Sequence, residues 1–242
     1  MIPLIILVLW IIVTANGMFP SSILPSPLMV VQAFGEMLVS KQLQEDLIVS
    51  LGRVVKGFVV SGVLGVLFGS LMGMFKPVCK ALLPMVTVIR QIPMIAWIPL
   101  IILWAGIGET SKVIIIVIAA VFPVLVNTMS GITSTPEGLV EVSRLYKLNG
   151  WETFRKVYLP HALPQILVGL KLGLGVSWMA VVASELIAAS SGIGYRMNEA
   201  RSLMRSDKVI VCMIVVGLVG IIMDRIITMI FDRVTPWEHL KK

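Results

Sequence analysis

Charged residues are scarce in this 242-residue chain, and the common motifs of phosphate binding and hydrolysis are missing. Asp, Glu, Lys and Arg make up 14% of the residues and hydrophobic residues 57%, whereas globular domains are about 25% charged and 45–50% apolar. The sequence contains no G-x-x-x-x-G-K-[ST] phosphate loop, no H-E-x-x-H zinc motif and no G-x-S-x-G nucleophile elbow. We therefore expect no catalytic residue, no metal site and no enzymatic activity in this chain.

Cysteine and histidine are also rare, with two residues of each. Cys79 and Cys212 have neither metal-ligand nor redox spacing, which predicts that they are packing residues. The net charge of +7 arises from basic residues dispersed between hydrophobic runs. This dispersal favours a role in membrane topology over a nucleic-acid-binding face, so we expect no nucleic-acid partner.

Long apolar runs are what the sequence does contain. A membrane-spanning helix needs about 20 mostly apolar residues, and windows of that kind occur near residues 2–16, 54–75, 82–105, 112–132, 162–188 and 208–231. No Lys or Arg precedes the first run, which favours a span over a signal peptide. The sequence predicts an all-α membrane protein in which residues 1–242 form a single transmembrane domain of about six helices.

Basic residues in the loops predict the orientation. With the first residues in the cytoplasm, six spans put both termini inside, together with Lys76, Lys80, Arg144, Lys147, Arg155, Lys156, Arg233, Lys241 and Lys242. The outside then holds Lys41, Arg53, Arg196, Arg201 and Arg205. The excess of Lys and Arg on the inside favours cytoplasmic termini.

The second span carries a small residue at every fourth position. These residues are Gly57, Ser61, Gly65, Gly69 and Gly73. Small residues on one face of a membrane helix let another helix approach closely. We expect tight helix packing along this stripe.

The segment EVSRLYKLNGWETFRKVYLPHALP, residues 141–164, is charged and amphipathic. Thr135-Pro136-Glu137 predicts a helix start with a capping hydroxyl, Asn149 and Glu152 a capping box for a second helix, and Leu159-Pro160 its end. One side of this hairpin, residues 137–159, is apolar, with Val142, Leu145, Leu148, Trp151, Phe154 and Val157. From these features alone, the hairpin either lies on lipid headgroups or docks to a soluble partner.

Three segments resemble a known family. Glu141-Val142-Ser143 followed by Val157-Tyr158-Leu159-Pro160 resembles the coupling signature of binding-protein-dependent ABC importer permeases, EAA-x₃-G-x₉-I-x-L-P. The chain departs from it at Lys147, where the signature has glycine, and we expect Gly150 to supply the turn. IRQIPMIAWIPLIILWAGIGETSK, residues 89–112, and ALPQILVGLKLGLGVSWMAVVASELIAASSGIG, residues 162–194, resemble the third and fifth spans of the nitrate, sulfonate and taurine permeases.

The resemblance implies a type I ABC importer permease fold in a prokaryotic plasma membrane. Implied partners are a second copy of the chain, two ATPase subunits that bind ATP and Mg, and an external substrate-binding protein. The implied solute is a small oxyanion such as an aliphatic sulfonate, taurine or nitrate. Residues implied to couple to the ATPase are Glu141, Val142, Ser143, Leu145, Gly150, Trp151, Leu159 and Pro160. Alternatives are a stand-alone channel, a membrane scaffold, or a permease of this family for a thiamine-precursor-like solute.

Charged and aromatic residues within the spans are candidates for the translocation pathway. Arg90 and Lys171 fall at similar depths, where they either form a cationic constriction or satisfy helix ends and headgroups. Glu185 is either an outer gate or a structural acid that pairs with Arg196 or Arg201. Trp97, Trp104 and Trp178 either line the passage or pack between helices.

Overall fold

The computed structural model describes residues 2–235, and these residues are helical with short connections, which confirms the predicted all-α class. The α-helices in this range are α1 (Ile2–Ala15), α2 (Pro27–Val39), α3 (Gln42–Met74), α4 (Lys76–Gln91), α5 (Met94–Ala105), α6 (Glu109–Thr133), α7 (Glu137–Leu145), α8 (Gly150–Thr153), α9 (Leu159–Ala188), α10 (Ile193–Ser202) and α11 (Ser206–Val234). A π-helical turn, Phe154–Tyr158, joins α8 to α9. Lys241 and Lys242 lie outside the described residues.

Helices α3, α6 and α9 form the centre of the molecule. Gly65 of α3 lies against Val124 of α6, and Gly73 lies against Ile132, so the two helices run parallel. Helix α9 runs the opposite way and packs against both α6 and α3. We call the end of this bundle at Met74 the hairpin end, because α7 and α8 lie there, and the opposite end the far end.

The stripe of small residues allows the close contact between α3 and α6. A Cβ atom added to Gly65 would lie 2.6 Å from the Cβ of Val124, and one added to Gly69 would lie 2.6 Å from the carbonyl oxygen of Leu125. Both distances are shorter than a van der Waals contact, so larger side chains would separate the helices. The predicted close approach is confirmed.

The long apolar helices match most of the predicted spans. Four segments are long and apolar enough to cross a membrane: α3, α6, the continuous stretch from α8 through α9, and α11. The predicted third span is interrupted, because α4 and α5 meet at an angle of 99°. Pro93 provides no backbone N–H, and Ile92 before it is extended, with ψ 120°. The first predicted span is a helix of only 14 residues.

The hairpin differs from its prediction at both ends. Pro136 occupies the N-cap of α7, and no side chain caps that helix; the predicted hydroxyl cap from Thr135 is wrong because Thr135 lies one residue too early. The predicted stop at Leu159-Pro160 is also wrong, since the chain continues through the π-helical turn into α9. A helix tolerates proline in its first turn, where the missing N–H has no carbonyl partner to lose.

The turn between α7 and α8 lies at Lys147. This residue adopts a left-handed conformation with φ 51°, which is the conformation that glycine adopts most easily. Lys147 stands where the signature has glycine. The turn therefore lies at the position that the signature predicts, although the residue there is lysine. Gly150, the predicted turn residue, instead begins α8. The capping box is confirmed: Asn149 Oδ1 accepts from the N–H of Glu152 at 2.8 Å, and Glu152 Oε2 from the N–H of Asn149 at 3.0 Å.

Candidate functional site

Apolar side chains of the hairpin are exposed on its outer surface. We define the hairpin face as Leu139, Val142, Leu145, Tyr146 and Trp151. Leu145 is 81% and Trp151 is 68% exposed, although both are large apolar side chains. Contiguous exposed apolar surface of this kind marks an interaction site. The acidic Glu141 is exposed beside Val142, so the hairpin face carries a charge at its edge.

The remaining predicted coupling residues fall into two groups. Gly150 and Pro160 are exposed, as the hairpin face is. Ser143 is buried and donates its hydroxyl to the carbonyl oxygen of Val140 at 2.6 Å. Leu159 is partly buried and packs against the cluster that contains Ile132. Ser143 and Leu159 therefore hold the hairpin's internal structure instead of presenting a surface.

Arg90 lies between two adjoining cavities at the bend between α4 and α5. One cavity, of about 340 Å³, is also lined by Asn127 and Leu172, and the other, of about 180 Å³, is also lined by Trp97. We call the two together the Arg90 cleft. Apolar residues of α6, Ala119 and Phe122, border both cavities.

The charge of Arg90 is not matched by an acidic side chain in the described residues. Its position in the last turn of α4 places it near the negative end of a helix dipole, which stabilises a cation by about 0.3–1 kcal/mol. Asn127 is the other polar group of the Arg90 cleft, and its amide donates to the carbonyl oxygen of Pro123 at 2.8 Å. The guanidinium is therefore available to an anion.

The structure does not bring the other predicted pathway residues to this cleft. Lys171 lines a different cavity together with Trp178, and its ammonium lies 3.2 Å from Asp224 of α11. Trp178 is buried and donates its indole N–H to the carbonyl oxygen of Val216 at 3.0 Å. Trp104 is exposed at the end of α5. Arg90 and Lys171 therefore do not form one constriction within a single chain.

Glu185 is buried within a group of polar residues at the far end, and Glu109 is the exposed member of this group. We define the far-end cluster as Asp46, Ser50, Arg53, Glu109, Glu185, Ser191 and Arg196. The Arg53 guanidinium lies 2.6 Å from Glu185 and also forms an ion pair with Glu109. The Ser50 hydroxyl donates to the Glu185 carboxylate at 2.8 Å and accepts the N–H of Ile193 at 3.0 Å. Helices α3, α6 and α9 are joined by these contacts.

The connection between α9 and α10 completes the far-end cluster. Arg53 donates to the carbonyl oxygen of Ser191 at 2.8 Å, and Glu185 accepts the N–H of Gly194 at 3.1 Å. Gly192 adopts φ 108°, and a Cβ there would lie 2.6 Å from Glu185 Oε2, so only glycine fits. The connection is therefore fixed in place by buried carboxylate and guanidinium groups.

Arg196 has a different partner from the one predicted. It donates to Asp46 at 2.7 Å, while Arg201 donates to Asn198, so the predicted pairing of Glu185 with Arg196 or Arg201 is wrong. Burial alone would lower the pKa of Arg196, but Asp46 and Glu199 outweigh it and raise the pKa, so the side chain stays charged.

Sequence reasoning missed the central residue of this cluster, Arg53. The available signals were an arginine directly before the predicted second span and an acid just before the predicted fourth, but spacing along the chain does not show which charges pair across helices. In residues 2–235, no group of three or more His, Cys, Asp and Glu side chains is placed to hold a metal ion.

Comparison with known proteins identifies the family. Residues 61–236 match the model of the binding-protein-dependent transport system inner membrane component. A protein of Escherichia coli named as the aliphatic sulfonates transport permease SsuC is 36% identical over 100% of this chain and 93% of its own. The nitrate import permease NrtB of Synechocystis is 33% identical over 97% of this chain and 88% of its own.

Solved structures show the same fold. The MetNI methionine ABC transporter contains a chain that matches 78% of this one and 96% of its own length, with a TM-score of 0.65 and 20% identity. An amino acid ABC transporter matches 82% of this chain and 97% of its own, with a TM-score of 0.67 and 19% identity. These matches confirm the predicted type I importer permease fold. The chain is therefore a multi-pass membrane protein of the family of binding-protein-dependent transport system inner membrane components, the permease subunits of ABC importers.

Proposed function

We propose that two copies of this chain form the translocation pathway of an ATP-driven importer for a small oxyanion, such as an aliphatic sulfonate, taurine or nitrate. A substrate-binding protein delivers the solute at the far end. Two ATPase subunits, which bind ATP and Mg, dock at the hairpin end. The permease chain itself is not an enzyme and holds no cofactor.

The observation that carries the choice of solute is the Arg90 cleft. An arginine within a membrane-spanning segment is costly, up to about 2.5–3.5 kcal/mol on insertion scales, and a pathway for neutral solutes gives no reason to retain Arg90 inside the broken third span. The planar guanidinium presents two donors to a sulfonate, nitrate or carboxylate, and lysine does not reproduce that geometry. Relatives named for aliphatic sulfonates and for nitrate support the same class of solute.

Apolar residues beside Arg90 favour an organic anion. Trp97, Phe122 and Leu172 line the Arg90 cleft. These side chains accommodate an alkyl group that follows the anionic head. An aliphatic sulfonate has both parts, a charged oxyanion and an apolar tail.

The hairpin face supports the coupling role. Its exposed Leu145 and Trp151 offer apolar surface to an ATPase subunit, and Glu141 adds a charge at the edge. In the proposed orientation the hairpin end lies in the cytoplasm, together with both chain termini. Closure of the ATPase subunits then moves the hairpin, and α9 carries that movement to the far end.

A homodimer follows from the size of the chain. The described residues supply four or five spanning segments and two shorter apolar helices, and no internal duplicate supplies a second half. Mass measurement of the purified complex should give two copies of this chain and two ATPase subunits. One copy bound to a different permease would contradict the homodimer and leave the coupling role standing.

Transport measurements on Arg90→Gln test the solute class. The complex is reconstituted in vesicles with its binding protein, and uptake of a labelled alkyl sulfonate, taurine and nitrate is measured. Loss of a hydrogen bond to a charged group costs about 1.5–3 kcal/mol, so we expect anion uptake to fall about ten- to a hundredfold. Assembly and basal ATP hydrolysis should be unchanged.

Lys80→Gln is the matched control, because Lys80 is exposed on the same helix and outside the Arg90 cleft. Arg90→Lys keeps the charge and removes the planar pair of donors, so its uptake should lie between wild type and Arg90→Gln. Normal anion uptake by Arg90→Gln, or a binding protein that selects a cation, would contradict the proposal.

A further inference from the structure

The surface of α3 near the hairpin end carries a long apolar groove that no described residue fills. The groove has a volume of about 890 Å³, and its lining includes Val59 and Val63 of α3, Phe75 directly after α3, and Trp151 of α8. We call it the α3 groove. Its lining runs from Phe58 to Phe75, which is about 25 Å at 1.5 Å per residue. That length exceeds one leaflet, about half of the 30 Å hydrocarbon core.

Two cations directly follow lining residues at the hairpin end of this groove. Lys76 directly follows Phe75, and Arg155 directly follows Phe154, another lining residue. Both side chains are exposed, and neither forms an ion pair with an acid in residues 2–235. The neighbouring Lys156 differs, because its ammonium lies 3.6 Å from Glu152. The mouth of the α3 groove therefore combines apolar walls with unmatched positive charge.

We propose that the α3 groove binds an anionic phospholipid, with an acyl chain along α3 and the phosphate headgroup at Lys76 and Arg155. The proposal rests on the proposed function only for its orientation, which places this mouth at the cytoplasmic leaflet. Anionic lipids are attracted to basic residues at that surface. The apolar lining and the volume suit a chain molecule, since small-molecule sites measure about 300–1,000 Å³.

Charge complementarity favours a lipid over a second copy of the chain. Helix α1 is the most exposed apolar helix available to fill a groove on a partner, with Leu4, Ile6 and Leu9 more than half exposed. However, α1 contains no Asp or Glu. An α1 helix in the groove would leave Lys76 and Arg155 unmatched, whereas a phosphodiester matches both.

Through Trp151, a bound lipid would affect how the hairpin couples to the ATPase. Its side chain belongs to the hairpin face and also lines the α3 groove. A lipid in the groove packs against the side of Trp151 that faces α3, and it restricts the positions that the hairpin occupies. The lipid composition of the cytoplasmic leaflet then sets how firmly the hairpin is held.

Fluorescence quenching by brominated lipids tests the proposal. The full-length chain is reconstituted in vesicles that contain either brominated phosphatidylglycerol or brominated phosphatidylcholine. The Trp151 signal is the difference between wild type and Trp151→Phe. We expect phosphatidylglycerol to quench this signal at a low mole fraction, and phosphatidylcholine to quench it only weakly.

Variants separate the groove from the headgroup site. Val63→Phe fills the α3 groove and should remove most of the quenching, while Val60→Phe, on an exposed face of α3 outside the groove, should not. Lys76→Gln and Arg155→Gln should each raise the mole fraction needed for half-maximal quenching about fivefold, the effect of losing one basic residue near a charged surface. Lys41→Gln, at the far end of α3, should have no effect.

Two results would overturn the proposal. One is equal quenching of Trp151 by the two lipids. The other is efficient cross-linking of Val63→Cys between two copies of the chain, which would place a second copy in the groove. Neither measurement involves ATPase binding or transport, so failure here leaves the proposed function intact. If the wild-type protein did not associate with an ATPase subunit or did not take up anions, that result would instead contradict the proposed function alone.

Discussion

The two ends of the bundle satisfy their polar and apolar groups in opposite ways. At the far end, the Arg53 guanidinium and the Glu185 carboxylate are almost completely buried, and each has several partners within the chain. At the hairpin end, large apolar side chains such as Leu145 remain exposed. The far end is complete within one chain, whereas the hairpin end needs another molecule to cover it.

This difference has an energetic side. A buried ion pair is costly to desolvate and adds little net stability, but removal of one partner is strongly destabilising, because it leaves an unmatched charge. Exposed apolar residues contribute little to folding because they bury little area. Substitutions at the far end should therefore change stability, and those at the hairpin face should change partner binding.

The largest effect is expected for Arg53→Met, which leaves Glu185 buried without its cation. Breaking a buried pair in this way costs about 3–5 kcal/mol. Unfolding of the purified protein in mixed micelles by titration with sodium dodecyl sulfate measures the change. The double variant Arg53→Met/Glu185→Met should recover much of the loss, since no unmatched carboxylate remains at position 185.

The control for Arg53 is Arg201→Gln. Arg201 is exposed at the same end, and its side chain donates to the Asn198 side chain. Its replacement should change stability by less than about 0.5 kcal/mol, as is usual for surface sites. Equal losses for Arg53→Met and Arg201→Gln would remove the distinction between buried and exposed charge at the far end.

A smaller effect on stability is expected for Gly69→Ala, in the contact between α3 and α6. The Cβ of Gly69→Ala would lie 2.6 Å from the carbonyl oxygen of Leu125, a backbone atom that moves only if α6 moves. Overpacking of this kind costs about 1–3 kcal/mol. The same titration measures it.

Gly52→Ala is the matched control for Gly69. A Cβ at Gly52 meets no atom within 4 Å, and this glycine lies in the same helix. Alanine there should stabilise the protein by up to about 1 kcal/mol through helix propensity. Opposite signs for the two glycines would support rigid contact between α3 and α6, and a stabilising Gly69→Ala would contradict it.

The smallest effect on stability is expected at the hairpin face. Leu145→Ser and Glu141→Lys alter exposed side chains, so each should change the free energy of unfolding by less than about 0.5 kcal/mol. We nevertheless expect both variants to lose coupled ATP hydrolysis, because they alter the surface proposed to meet the ATPase. Copurification of the ATPase and solute-stimulated hydrolysis are the measurements.

Thr133→Ser is a suitable control for the hairpin face, since Thr133 is exposed nearby, keeps its hydroxyl in the variant and lies outside the face. A Leu145→Ser protein that couples normally would show that the hairpin face is not the ATPase contact. A Leu145→Ser protein that unfolds easily would show that Leu145 belongs to the core after all.

Features that depend on residues close together in the sequence were predictable. Features that depend on contacts between residues far apart in the sequence were not. The small-residue stripe of α3 and the capping box at Asn149 each follow from residues three or four apart in sequence. The far-end cluster joins Arg53 to Glu185, which is 132 residues away. A single sequence gives the hydrophobicity and charge of the residue at each position, but it does not show which of several arginines meets a given acid.

The effect of proline was mispredicted at two positions: a continuous span was expected through Pro93, and a helix end was expected at Leu159-Pro160. Ile92-Pro93 breaks a predicted span, while Leu159-Pro160 fails to end a helix. Proline disrupts a helix only where an N–H was needed by the preceding turn. A π-helical turn precedes Pro160, and its Phe154 and Tyr158 pack against the cluster of Ile132 and Ala162, contacts that the Leu-Pro dipeptide does not indicate.

The unbroken helical stretch from α8 through α9 links the hairpin end to the far end as a single long segment. Its 39 residues measure about 57 Å at 1.5 Å per residue, with Trp151 near one tip and Glu185 near the other. A swing of only about 5° around the hairpin tip moves the opposite tip by about 5 Å, close to one helical pitch. The 2.6 Å contact between Glu185 and Arg53 does not survive such a stroke unless Arg53 travels with it. Whether the contact between Arg53 and Glu185 is kept during transport therefore shows whether α3 and α9 move together or separately.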